Sequence, residues 1–330
     1  MSYRTLDLAN DVSSLVSSIN EVVTISSSIY ATEANVKRFR NISSASAGTD
    51  LGGYWETIFD SSPTSSLSTA LFDMTYGFAT SSVYNVAVTT TSSLTEKIKV
   101  YRELASTLLG NSDSTFTINS AAAPKCFFIM VKRNIQKDEL KKGSVSVVIN
   151  RGATQVTASD DSAATNFKQT VGGDYAPLKY QGTGSEIGQV WYQAGVIVLS
   201  DDLAWNTGVT WSGSVTLINA QPSGTINQLV DGLRNHIEKF TVHNQTNLYS
   251  TLYFCRATNA EFNYSSNPTF VDANKRIRVT SGSNILTTRT YVTTIGLYDA
   301  TDNLLAVGKV NKPIAKSFDS ESIFRLRLDY

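Results

Sequence analysis

Charge is scarce in this chain. Of 330 residues, 28 are Lys or Arg and 28 are Asp or Glu, 17% in all, against the roughly 25% of an average soluble domain. The two signs cancel, which argues against a nucleic-acid partner, because backbone binding takes an excess of Lys and Arg to displace counterions. Cysteine is scarce too. Cys126 and Cys255 are too few for a disulfide-stapled scaffold, and with only two His the chain could build a tetrahedral zinc site only if all four converged. Free thiols are the expected state of both. Long apolar runs are missing: the longest, 194–199, is about six residues against the ~20 that a membrane helix needs. The first thirty residues carry Arg4, Asp7, Asp11 and Glu21 and hold no signal-peptide core. The expectation is no membrane partner.

Hydroxyls and aromatics are abundant instead. Ser and Thr together number 78 and outnumber the charged residues, so they supply much of the polar surface. With 15 Tyr, 14 Phe and 4 Trp the chain can bury a large core, and no net charge forces it open.

Three segments carry helix signals. Ser93-Leu94-Thr95-Glu96 reads as a capping box, and behind it Leu94, Ile98, Tyr101, Leu104, Ala105 and Leu108 share one face up to Gly110. A second helix is expected over 225–240, where Ile226, Leu229, Val230, Leu233, Ile237 and Phe240 follow helical spacing. A short polar third is expected over 134–142. Nearly everything else reads as strand: 126–132 as a run buried on both faces, then 144–150, 189–200, 213–220, 249–257, 275–281, 289–299, 303–310 and 323–330, with a hairpin turn at 300–303. The stretch 152–188 reads as a long exposed excursion. The fold class expected is mainly β: a β-sandwich of short antiparallel strands with two or three flanking helices and an N-terminal arm. Residues 1–50, Ser-rich and without a sustained period, form that arm or a strand-exchange segment, with a meandering first strand pair as the alternative. Residues 51–330 form the main domain, divisible near 222.

A search for reacting groups returns little. No H-E-x-x-H, G-x-S-x-G or P-loop occurs. His236 and His243 lack acidic neighbours at metal-ligand spacing, and both cysteines sit in strand-like segments where they pack as small hydrophobes. The pairs Asp160-Asp161 and Asp201-Asp202 fit solvated or amide-capping turn residues better than a glycosidase or a calcium site. Lys132, Arg133, Lys137, Lys141 and Lys142 surround Asp138 and Glu139, as on a solvated helix with internal ion pairs, or a patch for an acidic partner. Trp205 and Trp211 lie in a turn-rich segment where aromatics contact a glycan or a protein, or else cap the core. The expectation is no enzyme and no cofactor.

Two elements are more informative: Glu261-Phe262-Asn263-Tyr264-Ser265-Ser266-Asn267-Pro268-Thr269-Phe270 and Thr293-Thr294-Ile295-Gly296-Leu297-Tyr298-Asp299. Together with 253–256, 304–307, the terminal 324–330 and, more weakly, 1–7 and 71–77, they resemble a virion structural protein family of large contractile-tailed bacteriophages of aquatic bacteria. The resemblance implies a non-enzymatic subunit of the particle's tail, baseplate or neck. It would be assembled in the host cytoplasm and sited in the virion, with other virion proteins and copies of itself as partners. It supplies no active site. The residues themselves offer two docking candidates, the N-terminal segment with Leu15, Val16 and Ile19, and the last strand, where Phe324, Leu326, Leu328 and Tyr330 share a face. A carbohydrate-binding adhesin at the tail periphery, acting through Trp205 and Trp211, is the alternative, and a depolymerase using the acidic pairs a third.

Overall fold

The computed structural model describes residues 3–26, 29, 33–39, 55–80, 92–150, 155–201, 210–212, 215–216, 224–279 and 284–330. The first strands are β1 (Val12–Ser26), β2 (Val36–Phe39), β3 (Trp55–Phe59), β4 (Ala70–Phe78), β5 (Phe116–Ile118), β6 (Ala121–Ala123) and β7 (Lys125–Val131). There follow β8 (Glu139–Leu140), β9 (Ser146–Asn150), β10 (Gln155–Ser159), β11 (Lys168–Thr170), β12 (Gly173–Tyr180), β13 (Glu186–Trp191) and β14 (Val196–Ser200). The last are β15 (Thr210–Ser212), β16 (Val215–Thr216), β17 (Ile237–Ala257), β18 (Thr290–Tyr298), β19 (Leu304–Lys316) and β20 (Ser322–Asp329). Among the described residues lie the α-helices α1 (Ser92–Leu109), α2 (Arg133–Gln136) and α3 (Ile226–Arg234). The class is mainly β, as expected.

The chain divides into two compact units, Ile19–Thr246 and Met1–Ser18 with Asn247–Tyr330. Neither boundary falls at 50 or 222.

In the unit Ile19–Thr246, antiparallel strands run in the order β17-β9-β10-β12-β13-β14-β7-β4-β3-β2, with β1 on the outer side of β17. This sheet curls. Phe72 on β4 and Phe240 on β17 are far apart in sheet order, yet their rings lie 5.7 Å apart. Curling of one sheet brings the apolar faces together; two facing sheets of a sandwich are not seen among the described residues. Of the run 126–132, residues 126–129 and Val131 are buried as expected, because β7 lies between β14 and β4 and both faces are covered, while Met130 and Lys132 are half-buried. On one face Phe128 meets Tyr101 of α1 and Phe116, and Phe116 meets Trp191, which stacks on Tyr175 at 5.0 Å. Helix α1 can approach β4 because residue 77 is Gly: a Cβ there would sit 2.7 Å from the Lys97 carbonyl oxygen and 2.8 Å from the Tyr101 nitrogen. On the other face α3 packs against β3 and β4.

Several expected elements differ. The helix expected over 225–240 starts as read, with Thr225 and Gln228 forming a capping box, but ends at Arg234. From Ile237 the chain pairs with β9, and Phe240, Val242 and Asn244 alternate inward, a period of two. The helix expected over 134–142 is a single turn, stopped where Lys137 takes a positive φ of 63°; Glu139 and Leu140 then pair with β17. The run 189–200 is two strands, β13 and β14, folded back at Gly195 (φ 67°), where a Cβ would strike the Gln136 side chain. The stretch 152–188 is no excursion: β10, β11 and β12 lie in the sheet, with Val156, Ala158, Ala176 and Leu178 fully buried. Residues 275–279 form only an isolated bridge, Val271 with Ile277. The Ser93 box falls on side chains outside the described set.

In the second unit β17 lies between β1 and β20, and Phe254 donates its N–H to the Asp11 carbonyl. Strands β18 and β19 form a separate two-stranded hairpin. The residues 300–303 make its turn, as expected.

Candidate docking surfaces

The turn of this hairpin is locked by one carboxylate. Asp299 accepts from the backbone N–H of Thr301 and of Asn303, each at 2.8 Å, and from both their side chains. The Asn303 N–H foremost, these bonds lower its pKa to about 2. Asp302 supplies the left-handed step with φ 62°. The hairpin so closed has two unlike sides. Toward β20, Leu297 is buried, and Gly308 lies over Leu326 so closely that a Cβ would be 2.8 Å from its Cδ1. The outer side leaves Tyr298, paired with Leu304, and Val307, paired with Gly296, exposed, and Tyr291, Leu305 and Ile314 are exposed as well. Sequence reasoning singled out 293–299 and 304–307 for the resemblance but did not read them as a docking surface. The available signal is the end of β18, where half-buried Ile295 and buried Leu297 alternate with exposed Gly296 and Tyr298.

The terminal strand is placed as its alternation required. Phe324, Leu326 and Leu328 are half-buried on one face, and Ile323, Arg325, Arg327 and Asp329 are exposed on the other. That apolar face is not free for exchange in full, since Leu326 already meets Gly308. Tyr330 is 76% exposed and stacks on Tyr249 with ring centroids 6.5 Å apart. The N-terminal candidates stand open: Leu15, Val16 and Ile19 are 46%, 57% and 55% exposed on β1. Residues 12–26 form a strand where no period was legible. All three lie on one strand, Leu15 and Val16 in the same unit as the terminal strand and Ile19 in the other. Trp205 lies outside the described residues, and Trp211 is described only as part of β15.

The polar groups weighed as chemistry are built into the framework. Asp160 is buried and accepts from the N–H of Gly143 (3.0 Å) and Val145 (2.8 Å) and from the Tyr192 hydroxyl (2.8 Å), so it caps backbone amides and is not solvated. Burial raises its pKa above the usual carboxylate range even against these donors. Asp201, also buried, accepts from the Tyr76 hydroxyl at 2.8 Å, and Asp202 lies outside the described residues. The basic cluster is dispersed along separate contacts. Lys132 bridges Asp73 at 2.6 Å; Lys142 bridges Asp174 at 2.6 Å and lies 4.2 Å over the Phe167 ring. The His236 imidazole meets the Asn150 carbonyl at 2.9 Å, just past α3. Cys126 is buried, Cys255 half-buried, and both are free thiols. Among the described residues no group of three or more His, Cys, Asp or Glu is arranged to hold a metal ion, and no helix is long and apolar enough to cross a membrane.

No family model, curated protein or solved structure matches this chain.

Proposed function

We propose that this chain is a non-enzymatic structural subunit of a tailed-phage virion, sited in the tail, baseplate or neck and working by protein–protein docking. The observation that carries the docking part is the outer side of the β18–β19 hairpin, where Tyr298, Leu304 and Val307 stand exposed together. A two-stranded hairpin is marginal on its own, and each large apolar side chain gains roughly 1.5–3 kcal/mol when removed from water. A second protein seated here would bury that surface and stiffen the hairpin at once. The scarcity of net charge fits a subunit that must approach neighbours without long-range repulsion. The phage assignment rests on the resemblance of 261–270 and 293–299 described above.

The test is whether the chain is a particle component. Purified tailed-phage particles from cells expressing the gene would be analysed by quantitative mass spectrometry. The expected result is a fixed copy number per particle, lost in Leu304→Lys/Val307→Lys while that variant keeps its melting temperature. Particles of normal composition and infectivity without the chain would overturn the reading.

A further inference from the structure

Over residues 15–23 the edge strand β1 carries an apolar pattern that reads the same in both directions. About Ile19, apolar residues stand at Leu15 and Val16 on one side and at Val22 and Val23 on the other, with Ser17-Ser18 and Asn20-Glu21 between. Val22, like Leu15, Val16 and Ile19, is exposed, and Val23 is half-buried. Among the described residues β17 is the one strand neighbour of β1. Glu21 turns its backbone N–H toward that neighbour, to Asn244 Oδ1 at 3.0 Å. Backbone direction alternates along a strand, so Val16, Ser18, Asn20 and Val22 present their N–H and C=O groups to the open side. The fifteen residues contain neither Pro nor Lys, the residues that commonly guard such an edge.

We propose that β1 pairs antiparallel with β1 of a second copy of this chain, with the two-fold axis at Ile19. This register sets Leu15 opposite the partner's Val23, Val16 opposite the partner's Val22, and Ile19 against its own counterpart. The strand's one charge, Glu21, falls opposite the partner's Ser17 and so meets neither an apolar side chain nor a like charge. Moving the axis by one residue in either direction places Glu21 against Ile19 or against Leu15. The self-complementary pattern is what selects a second copy over an unrelated strand. The inference deepens the docking reading and rests on it in naming one of the partners.

The register predicts a chemical signature. Because Ile19 turns its backbone toward β17, the two Ile19 residues form a non-hydrogen-bonded pair, whose Cα atoms lie about 4.5 Å apart, within disulfide range. Full-length protein would be examined by sedimentation velocity and, as Ile19→Cys, by non-reducing electrophoresis after mild oxidation, with wild type as the control for Cys126 and Cys255. The expected results are a wild-type dimer, a covalent dimer for Ile19→Cys and none for Asn20→Cys, and a monomer for Ile19→Lys with an unchanged melt. A wild-type monomer at micromolar concentration, or equal cross-linking of Ile19→Cys and Asn20→Cys, overturns the inference. A wild-type monomer that still enters particles leaves the docking reading standing, whereas a β1 dimer absent from every particle removes the phage assignment alone.

Discussion

Tyr192 donates its phenolic hydrogen to Asp160 across 2.8 Å, although 32 residues separate them. The same carboxylate holds the Gly143 and Val145 amides, so one buried group ties the start of β9 to the ends of β10 and β13. Asp160→Ala strands three donors, and the expected loss is about 2–3 kcal/mol in urea unfolding. The folded pKa is raised above 3.8 by burial. The group's contribution is therefore complete below the ordinary carboxylate pKa and declines as pH rises through the folded value. The stability gap between wild type and Asp160→Asn should narrow as pH rises from 3.8.

Lys97 gives the opposite pH dependence at the other end of the scale. Its side chain is fully buried in α1, and burial pulls its pKa from 10.5 to about 8, with Glu96 acting the other way. A depressed folded pKa means that the contribution is present above 10.5 and lost as pH falls through 8. Relative to Lys97→Met, wild type should gain about 3 kcal/mol between pH 8 and 10.5. Paired unfolding curves across that window measure the difference.

Gly77→Ala tests the approach of α1 to β4. The added methyl meets backbone atoms of Lys97 and Tyr101 that cannot rotate away. The expected cost is about 1–3 kcal/mol, read as a lowered melting temperature with the far-ultraviolet spectrum unchanged.

Arg234 and Glu56 form a fully buried pair, Nε to Oε2 3.7 Å, and Arg234 Nε also donates to Asp231 at 2.8 Å. Arg234→Met removes the buried cation that faces both the Glu56 and the Asp231 carboxylates. Arg234→Met should cost about 3–5 kcal/mol, and the double variant with Glu56→Met should be more stable than Arg234→Met alone. Calorimetry of the three proteins decides it.

The parts of the fold that were legible are those where one period dominates. Helix α1 shows itself through Leu94, Tyr101, Ala105 and Leu108, all buried, and β20 through its strict alternation. Misreadings cluster where two periods coincide. Leu233, Ile237 and Phe240 satisfy helical spacing, yet only Val242 and Asn244, farther on, reveal that the chain has turned to strand. Strands β10 to β12 hid behind Thr, Gln and Asp, whose hydroxyls and amides face outward while Val156, Ala158, Ala176 and Leu178 fill the interior. The docking candidates Leu15, Val16 and Ile19 could be found from composition, because apolar residues in a Ser-rich strand have nowhere local to go. The hairpin surface could not, because its exposure depends on which side of β18 and β19 meets β20. The amide-capping role of Asp160 was legible from its place in a turn, but its partners were not, because its donors come from two turns far apart in sequence, 143–145 and 192.

The pairing of β1 with β17 has a consequence for synthesis. Glu21 and Asn244, which meet across these two strands, are 223 residues apart in sequence. At the usual 5–20 residues per second, Asn244 follows Glu21 from the ribosome by roughly ten to forty-five seconds. Throughout that interval the nascent β1 has no native mate, and the loop that must close to supply one is among the longest in the chain. Completion of the sheet thus waits until β17 has left the ribosome.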